Sequence, residues 1–497
     1  MQYKSTRNSK ILVNSAQAIV QGISKEGGLF VPESFPHLSM EEIAALADKT
    51  YAERAAAILT NFLTDFTPEE IQHCVTNAYR PEKFGSDRIA ELAHLYDGTY
   101  MLELWHGPTC AFKDMALQLL PYLLTTSAKK VAPNQEIVIL VATSGDTGKA
   151  ALEGFKDVEG TRILVFYPED GVSAMQKRQM TTQEGHNVQV CAIQGNFDDA
   201  QTGVKTIFTD AAFAQKLADN GKMFSSANSI NWGRLVPQIV YYFSAYADLI
   251  SSGDIRPGDA INVVVPTGNF GNILSAYYAK KMGLPVRKFI CASNANNVLT
   301  DFIRTGTYDR NRAFHATISP SMDILISSNL ERLLFDLCGE DDQEICQLFD
   351  SLKTKGTYTI SDTMRTKLQA EFYGGYCDDQ QTCAEIKKIF DKYSYLCDTH
   401  TAVALKVYDD YKAETGDTTK AVIASTASPY KFSASVLEAI EGKKSDADEY
   451  TQLARLHALS NLEIPEQLAN LQNKPVRFTG SVDKTEMPVV VAKMLGL

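Results

Sequence analysis

From residue 99 onward the chain alternates short runs of β-branched and apolar residues with stretches of helical spacing, and this rhythm limits the available folds more than any other feature. Candidate strands cover 99–105, 136–142, 162–167, 187–193, 260–265, 288–292 and 420–424, and candidate helices cover 115–124, 174–183, 200–218 and 273–282. Strand, tight turn, helix, strand is the signature of parallel α/β layers. A chain of 497 residues is long for one core, so it is expected to form two or three packed units. The pattern divides it into a mostly helical region over 1–95, α/β domains over 96–250 and 251–440, and a small appendage over 441–497. In the first region, 40–47 and 68–78 have helical periodicity, with Asp65 and Thr67 as cap candidates. The apolar stretch 235–250 is interrupted by Gln238 and Asp248 and reads as a buried helix.

Charge and cysteine usage exclude several classes of function. The formal net charge of −12 argues against general affinity for nucleic acid or an anionic membrane. An anionic ligand must therefore be captured by local donors against the field of the whole chain. The nine cysteines form no C-x-x-C pair and no cluster at zinc spacing, so no metal site is expected and reduced thiols of a cytoplasmic protein are. Met1 to Lys10 is polar, and no apolar run reaches membrane-spanning length.

In open parallel sheets ligands sit beyond the carboxyl ends of the strands, and four segments fall there. After the strand ending at Trp105, His106 to Asp114 places Lys113 at the opening of a helix. A cation there is opposed by the helix dipole, and partial desolvation lowers a lysine's pKa and makes its amine nucleophilic toward an aldehyde. The plain alternative is a surface lysine. After the strand at 136–142, Thr143-Ser144-Gly145-Asp146-Thr147-Gly148 offers glycines and hydroxyls at a helix start, a cradle for an anion or simply a capped turn. After the strand at 260–265, Pro266-Thr267-Gly268-Asn269-Phe270-Gly271-Asn272 lets backbone N–H groups approach a phosphate. It lacks both the Gly-Lys-Ser/Thr ending of a P-loop and the dinucleotide fingerprint. After the strand at 420–424, Ser425 to Phe432 brings the Thr426 hydroxyl to a strand end. Singly these are weak signals. Together they provide a lysine, a phosphate cup, a carboxylate cradle and a hydroxyl for a ring nitrogen, which is what pyridoxal-phosphate (PLP) chemistry requires.

The same segments, with Tyr3 to Arg7, Lys25 to Pro32, Gln176 to Thr182, Asn228 to Arg234 and His400 to Val403, resemble in order and spacing the threonine synthases of many bacteria and fungi. The resemblance covers nearly the whole chain. It implies two α/β domains facing a PLP cleft, the fold type II arrangement of tryptophan-synthase-β-like enzymes. It implies that Lys113 holds the cofactor as a Schiff base, that Gly268, Asn269, Phe270, Gly271 and Asn272 surround its phosphate, and that Thr426 faces its ring nitrogen. Ser144, Gly145, Asp146 and Thr147 would hold the substrate carboxylate, and Asn231, Arg234 and Lys431 the substrate phosphate. The sequence departs from the family at Cys110, usually leucine-like, at Thr399, often Pro, and at Ser428, often His.

The implied reaction is conversion of O-phospho-L-homoserine and water to L-threonine and phosphate, by β,γ-elimination and hydration. Rivals within the fold are a serine or threonine dehydratase and a phospho-lyase acting on threonine phosphate. A non-catalytic PLP-binding relative is the rival outside enzymes, and the intact Lys113 argues against it. Monomer and homodimer are both compatible with the sequence.

Overall fold

The computed structural model describes every residue except Ser144 and Gly171, and describes Phe197 and Asp198 by backbone alone. Two parallel sheets dominate it. The larger has six strands in the order Phe372–Tyr376, Val286–Ser293, Ile261–Pro266, Ala421–Ser425, Thr99–Glu103 and Glu91–Tyr96, the last of which is an antiparallel edge. The smaller has five parallel strands in the order Ser481–Asp483, Val188–Gln194, Thr161–Pro168, Glu136–Ala142 and Lys222–Ser225. The seven strands read from the sequence are present to within two residues at each end. The central strand Ile261–Pro266 is buried at every position, as a strand covered by helices on both faces should be.

The sheets do not follow the division of the chain at residue 250. Strand Thr99–Glu103 hydrogen-bonds to Ala421–Ser425 and not to its neighbour in sequence Glu136–Ala142, so the lysine segment belongs to the six-stranded sheet. Strand pairing across 322 residues, from Thr99 to Ala421, leaves no trace in local periodicity. The segment beyond 441 is also not a separate appendage. Strand Ser481–Asp483 extends the five-stranded sheet beside Val188–Gln194, and helix Met487–Leu495 packs on helix Phe197–Thr209. At the other end, Tyr3–Ser5 pairs with Asn8–Val13 and with Phe30–Pro32 in a small antiparallel sheet, where a mostly helical region was expected. Strands of three residues are too short to show a period. Thr67 caps helix Pro68–Ala78 as expected, with Glu70 returning the bond. Asp65 instead accepts from the Ala16 N–H at 3.0 Å, at the start of helix Ser15–Gln21.

The helix expected over 235–250 runs from Trp232 to Ser251, with all but three of its residues buried. It packs against helix Gly271–Lys281, which opens at the glycine loop, and against helix Asp114–Leu117, which opens at Lys113. One buried helix therefore backs both the lysine and the cup. No helix among the described residues is long and apolar enough to cross a membrane.

Candidate active site

Three adjacent strands of the six-stranded sheet place their carboxyl ends side by side. Ile261–Pro266 leads into the glycine loop, Ala421–Ser425 into Thr426, and Thr99–Glu103 into the Lys113 segment. Backbone bonds stitch the last two together: the Phe112 N–H donates to Thr426 O at 2.8 Å and the Ser428 N–H to Cys110 O at 3.0 Å. Cys110 holds a left-handed φ of 58° inside this turn, an unusual conformation for a residue with a side chain.

Lys113 retains 12% of its side-chain surface. Its Nζ donates to Ser321 Oγ at 3.3 Å and lies 3.8 Å from Asp146 Oδ2. Burial lowers its pKa to about 8, and the nearby charges of Lys431 and Arg234 act in the same direction while Asp146 opposes them. Asp146 begins helix Asp146–Phe155 on the five-stranded sheet. Its Oδ1 lies 2.6 Å from Lys431 Nζ, and the two lysines hold its carboxyl well below the usual range despite burial. Lys431 also donates to Thr109 O at 3.0 Å. The Asp114 carboxyl accepts from Thr109 N and Oγ1 at 2.8 and 2.7 Å, and burial raises its pKa to about 6.

The expected carboxylate cradle needs revision at Asp146. A buried anion engaged with two lysines would repel a substrate carboxylate, so its side chain acts as counter-ion. The Gly145 and Gly148 N–H groups are bonded to Thr143 Oγ1 at 3.0 and 2.9 Å. The N–H groups of Asp146 and Thr147 remain, and in a helix's first turn these have no intrahelical acceptor. Gly145 has φ 141°, and a Cβ there would meet the Gln176 side chain at 2.3 Å. Ser144 lies outside the described residues.

In the glycine loop, a Cβ at Gly268 would meet Ser321 O at 2.7 Å, so only glycine lets the loop and the Ser321 turn approach. Phe270 takes φ 63° directly before helix Gly271–Lys281. The Ser327 hydroxyl donates to Gly268 O at 2.8 Å and the Asn329 N–H to Asn269 O at 3.0 Å. The Asn272 Oδ1 accepts from the hydroxyls of Tyr241 and Tyr242, and its Nδ2 is buried without a partner among the described residues. An orphaned donor at the mouth of a phosphate cup has a reason if it serves a ligand. Arg234 is similar. One of its terminal nitrogens donates to Ala227 O at 2.7 Å, its Nε has no partner among the described residues, and burial lowers its pKa to about 10.

Asn231 does not share this position. Its Nδ2 donates to Ile19 O and Ser226 O at 3.0 and 2.8 Å, and its Oδ1 accepts from the Gly233 N–H at 2.8 Å. It caps helix Trp232–Ser251 and has no polar atom left for a substrate phosphate. Ser428 is fully buried and accepts from the Tyr430 N–H, capping the short turn that carries Lys431. Thr143 and Gln176 stand in segments the sequence singles out, whereas Ser321 stands in none of them. Ser321 lies 208 residues from Lys113 in a segment without periodicity, and its proximity is a property of the fold alone.

Residues 88–426 match the family model for pyridoxal-phosphate dependent enzymes. Residues 2–79 and 401–490 match the models for the threonine synthase N terminus and C-terminal region. The human protein Threonine synthase-like 1 is 42% identical over 489 residues, covering 96% of this chain, which spans 64% of that relative's length. Threonine synthase of Pseudomonas aeruginosa is 38% identical over 440 residues, covering 88% of this chain and 90% of that protein. The crystal structure of PLP-bound threonine synthase from Brucella melitensis superposes with a TM-score of 0.88 at 36% identity, covering 99% of this chain and 98% of that one. The chain belongs to the threonine synthase family of fold type II PLP-dependent enzymes. The residues present fit that cofactor: a buried lysine with a lowered pKa, a loop closed to any Cβ at Gly268, and the unpartnered Asn272 amide.

Proposed function

We propose that this chain is a threonine synthase, converting O-phospho-L-homoserine and water to L-threonine and phosphate. The observation that carries the reading is a surplus of buried basic charge. Lys431 and Arg234 both act electrostatically on the buried Lys113, and Asp146 and Asp114 are the carboxylates that oppose them there. In a chain of net charge −12, such a cluster is sustained by an anionic ligand in addition to its own carboxylates.

When bound, PLP supplies an electron sink for charge developing at the substrate Cα. The glycine loop and the first turn of helix Gly271–Lys281 would hold its phosphate through N–H groups and the helix dipole. Thr426, whose hydroxyl donates to no protein acceptor among the described residues, would serve the ring nitrogen as a neutral partner. Lys113 Nζ, with a pKa of about 8, takes and returns protons at Cα, since a base is most effective when its pKa lies near the working pH. Arg234 and Lys431 hold the departing phosphate. A guanidinium forks onto phosphate oxygens, whereas an ammonium serves as a point charge.

Incubation of the protein separately with O-phosphohomoserine, threonine, serine and threonine phosphate tests the reading. One phosphate and one threonine per turnover from the first substrate is the expected outcome. Keto-acid formed from serine or threonine faster than threonine is formed would replace this reading with a dehydratase.

A further inference from the structure

Helix Thr399–Thr415 begins behind the cleft on a carboxylate with more partners than a cap requires. Asp398 is fully buried. Its Oδ1 accepts from the backbone N–H and from Nδ1 of His400, both at 2.8 Å, and its Oδ2 from the N–H and hydroxyl of Thr401. Backbone contacts alone would make the cap, and the ring contact is additional. The imidazole is 3% exposed, and its other nitrogen looks toward the cleft, where Nε2 meets the Ser321 N–H at 3.1 Å. A backbone amide can only donate, so Nε2 presents its lone pair and the ring proton sits on Nδ1, facing Asp398.

Ser321 is the residue that meets the lysine. Its hydroxyl accepts from Lys113 Nζ at 3.3 Å. Its carbonyl is the atom that excludes a Cβ at Gly268. The single turn Pro320–Met322 is thus wedged between the lysine and the glycine loop, inside a segment without regular structure from Arg310 to Ser328. The Thr399 hydroxyl fastens the same segment by donating to Ile318 O at 2.7 Å, and the Phe432 ring packs on the imidazole with centroids 4.8 Å apart. Asp398 reaches the cleft by a second route too. The Thr401 hydroxyl that donates to it accepts from the Thr426 N–H at 3.3 Å, and Thr426 O accepts from Phe112, next to Lys113.

We propose that Asp398 and His400 are a positioning pair that holds the Pro320–Met322 turn, so that the Ser321 hydroxyl fixes the Lys113 amine relative to the glycine loop. This rests on Lys113 being the reactive lysine and not on the identity of the substrate. Neither member of the pair touches the amine. Both act through Ser321, which separates this role from packing. If His400 worked by filling space, its loss would be felt whether or not residue 321 carried a hydroxyl.

The test uses the full chain, stripped of cofactor and then mixed with PLP, and follows condensation by visible absorbance and by hydride trapping at Lys113. His400→Leu is expected to slow condensation about tenfold, with kcat falling similarly and KM changing less than twofold. His400→Gln keeps an acceptor near the position of Nε2 and is expected to stay within threefold of the parent. Ser321→Ala should reproduce the defect, and adding His400→Leu to it should cost less than a further twofold. Where His400→Leu does not fold, as judged by circular dichroism, Asp398→Asn takes its place. Both carboxylate oxygens accept from backbone N–H groups, so whichever way the amide turns it sets a donor against a donor, loosens the pair and should slow condensation by the same factor. Equal losses from His400→Leu with and without the Ser321 hydroxyl, or an unchanged rate in the folded His400→Leu or Asp398→Asn protein, would overturn the proposal. Parent protein that condenses normally yet makes no threonine would overturn the substrate reading alone.

Discussion

The two walls of the cleft are built differently. On the six-stranded sheet, three adjacent strand ends carry the glycine loop, Thr426 and Lys113, and their loops are bonded to one another: Phe112 to Thr426, Ser428 to Cys110, Lys431 to Thr109. On the five-stranded sheet, the adjacent strands Glu136–Ala142 and Lys222–Ser225 lead to Gly145–Thr147 and to Arg234. There the bonds are local, from Thr143 to its own turn and from Arg234 to Ala227. Across the cleft itself, ion pairs run from this wall to the other, through Asp146 to Lys431 and Lys113. The six-stranded wall is held by its own hydrogen bonds, the kind of preorganisation that spares rearrangement when a ligand fits. The five-stranded wall meets it through ion pairs, for which an anion entering the cleft would compete.

Replacing the one residue on which both walls converge should have the largest effect. Lys113→Ala is expected to lower turnover about a thousandfold or more and to abolish hydride trapping of a pyridoxyl group on the chain. PLP should still associate through the glycine loop, which equilibrium dialysis measures. Turnover within tenfold of the parent would remove Lys113 from the chemistry.

The contrast itself is sharpened by a pair of variants that should separate cleanly. Gly268→Ala inserts a Cβ 2.7 Å from Ser321 O, an overpacking worth about 1–3 kcal/mol, and should weaken PLP binding about ten- to a hundredfold. At saturating PLP its KM for O-phosphohomoserine should be unchanged. Arg234→Ala should do the opposite, lowering kcat/KM about ten- to a hundredfold while the loaded protein keeps its visible absorbance. If both variants damage both measurements alike, the walls are not separate in function.

The two walls were also unequally legible in the sequence. The glycine loop and Thr426 each stand directly after an apolar strand whose burial shows in its composition, and Lys113 lies in the turn that follows another, so strand-end chemistry is visible locally. That they belong to one sheet was not visible, because Thr99–Glu103 finds its partner Ala421–Ser425 by tertiary packing alone. On the other wall, the resemblance implies a phosphate contact at Asn231, whereas three hydrogen bonds make it a cap. Asp146 was assigned to a cradle because helix starts attract anions. Its two lysine partners lie 33 residues before it and 285 after it, and no spacing rule spans that distance. The Ser321 turn has no sequence signal at all, being an irregular loop placed by His400.

The smallest effect concerns how the charge bridge between the walls tunes the lysine. Burial sets the Lys113 pKa at about 8, with Asp146 raising it and Lys431 and Arg234 lowering it. With a pKa of 8, about a tenth of the amine is free at pH 7. Competitive acylation of the cofactor-free chain, read as label on the Lys113 peptide against pH, should therefore give a midpoint near 8, well below an ordinary lysine's. Asp146→Asn removes the stronger of the two carboxylates that favour the charged amine, Asp114 being the other, and leaves Lys431 without its counter-ion. The midpoint should move further down, and each unit of movement corresponds to about 1.4 kcal/mol of lost interaction with the charged form. At pH 7 a shift of about one unit would raise the free-amine fraction roughly fivefold, so the variant should label faster than the parent even as its turnover declines. A midpoint that stays at 8, or rises, would mean that the walls are not coupled through Asp146 and that burial alone sets the amine.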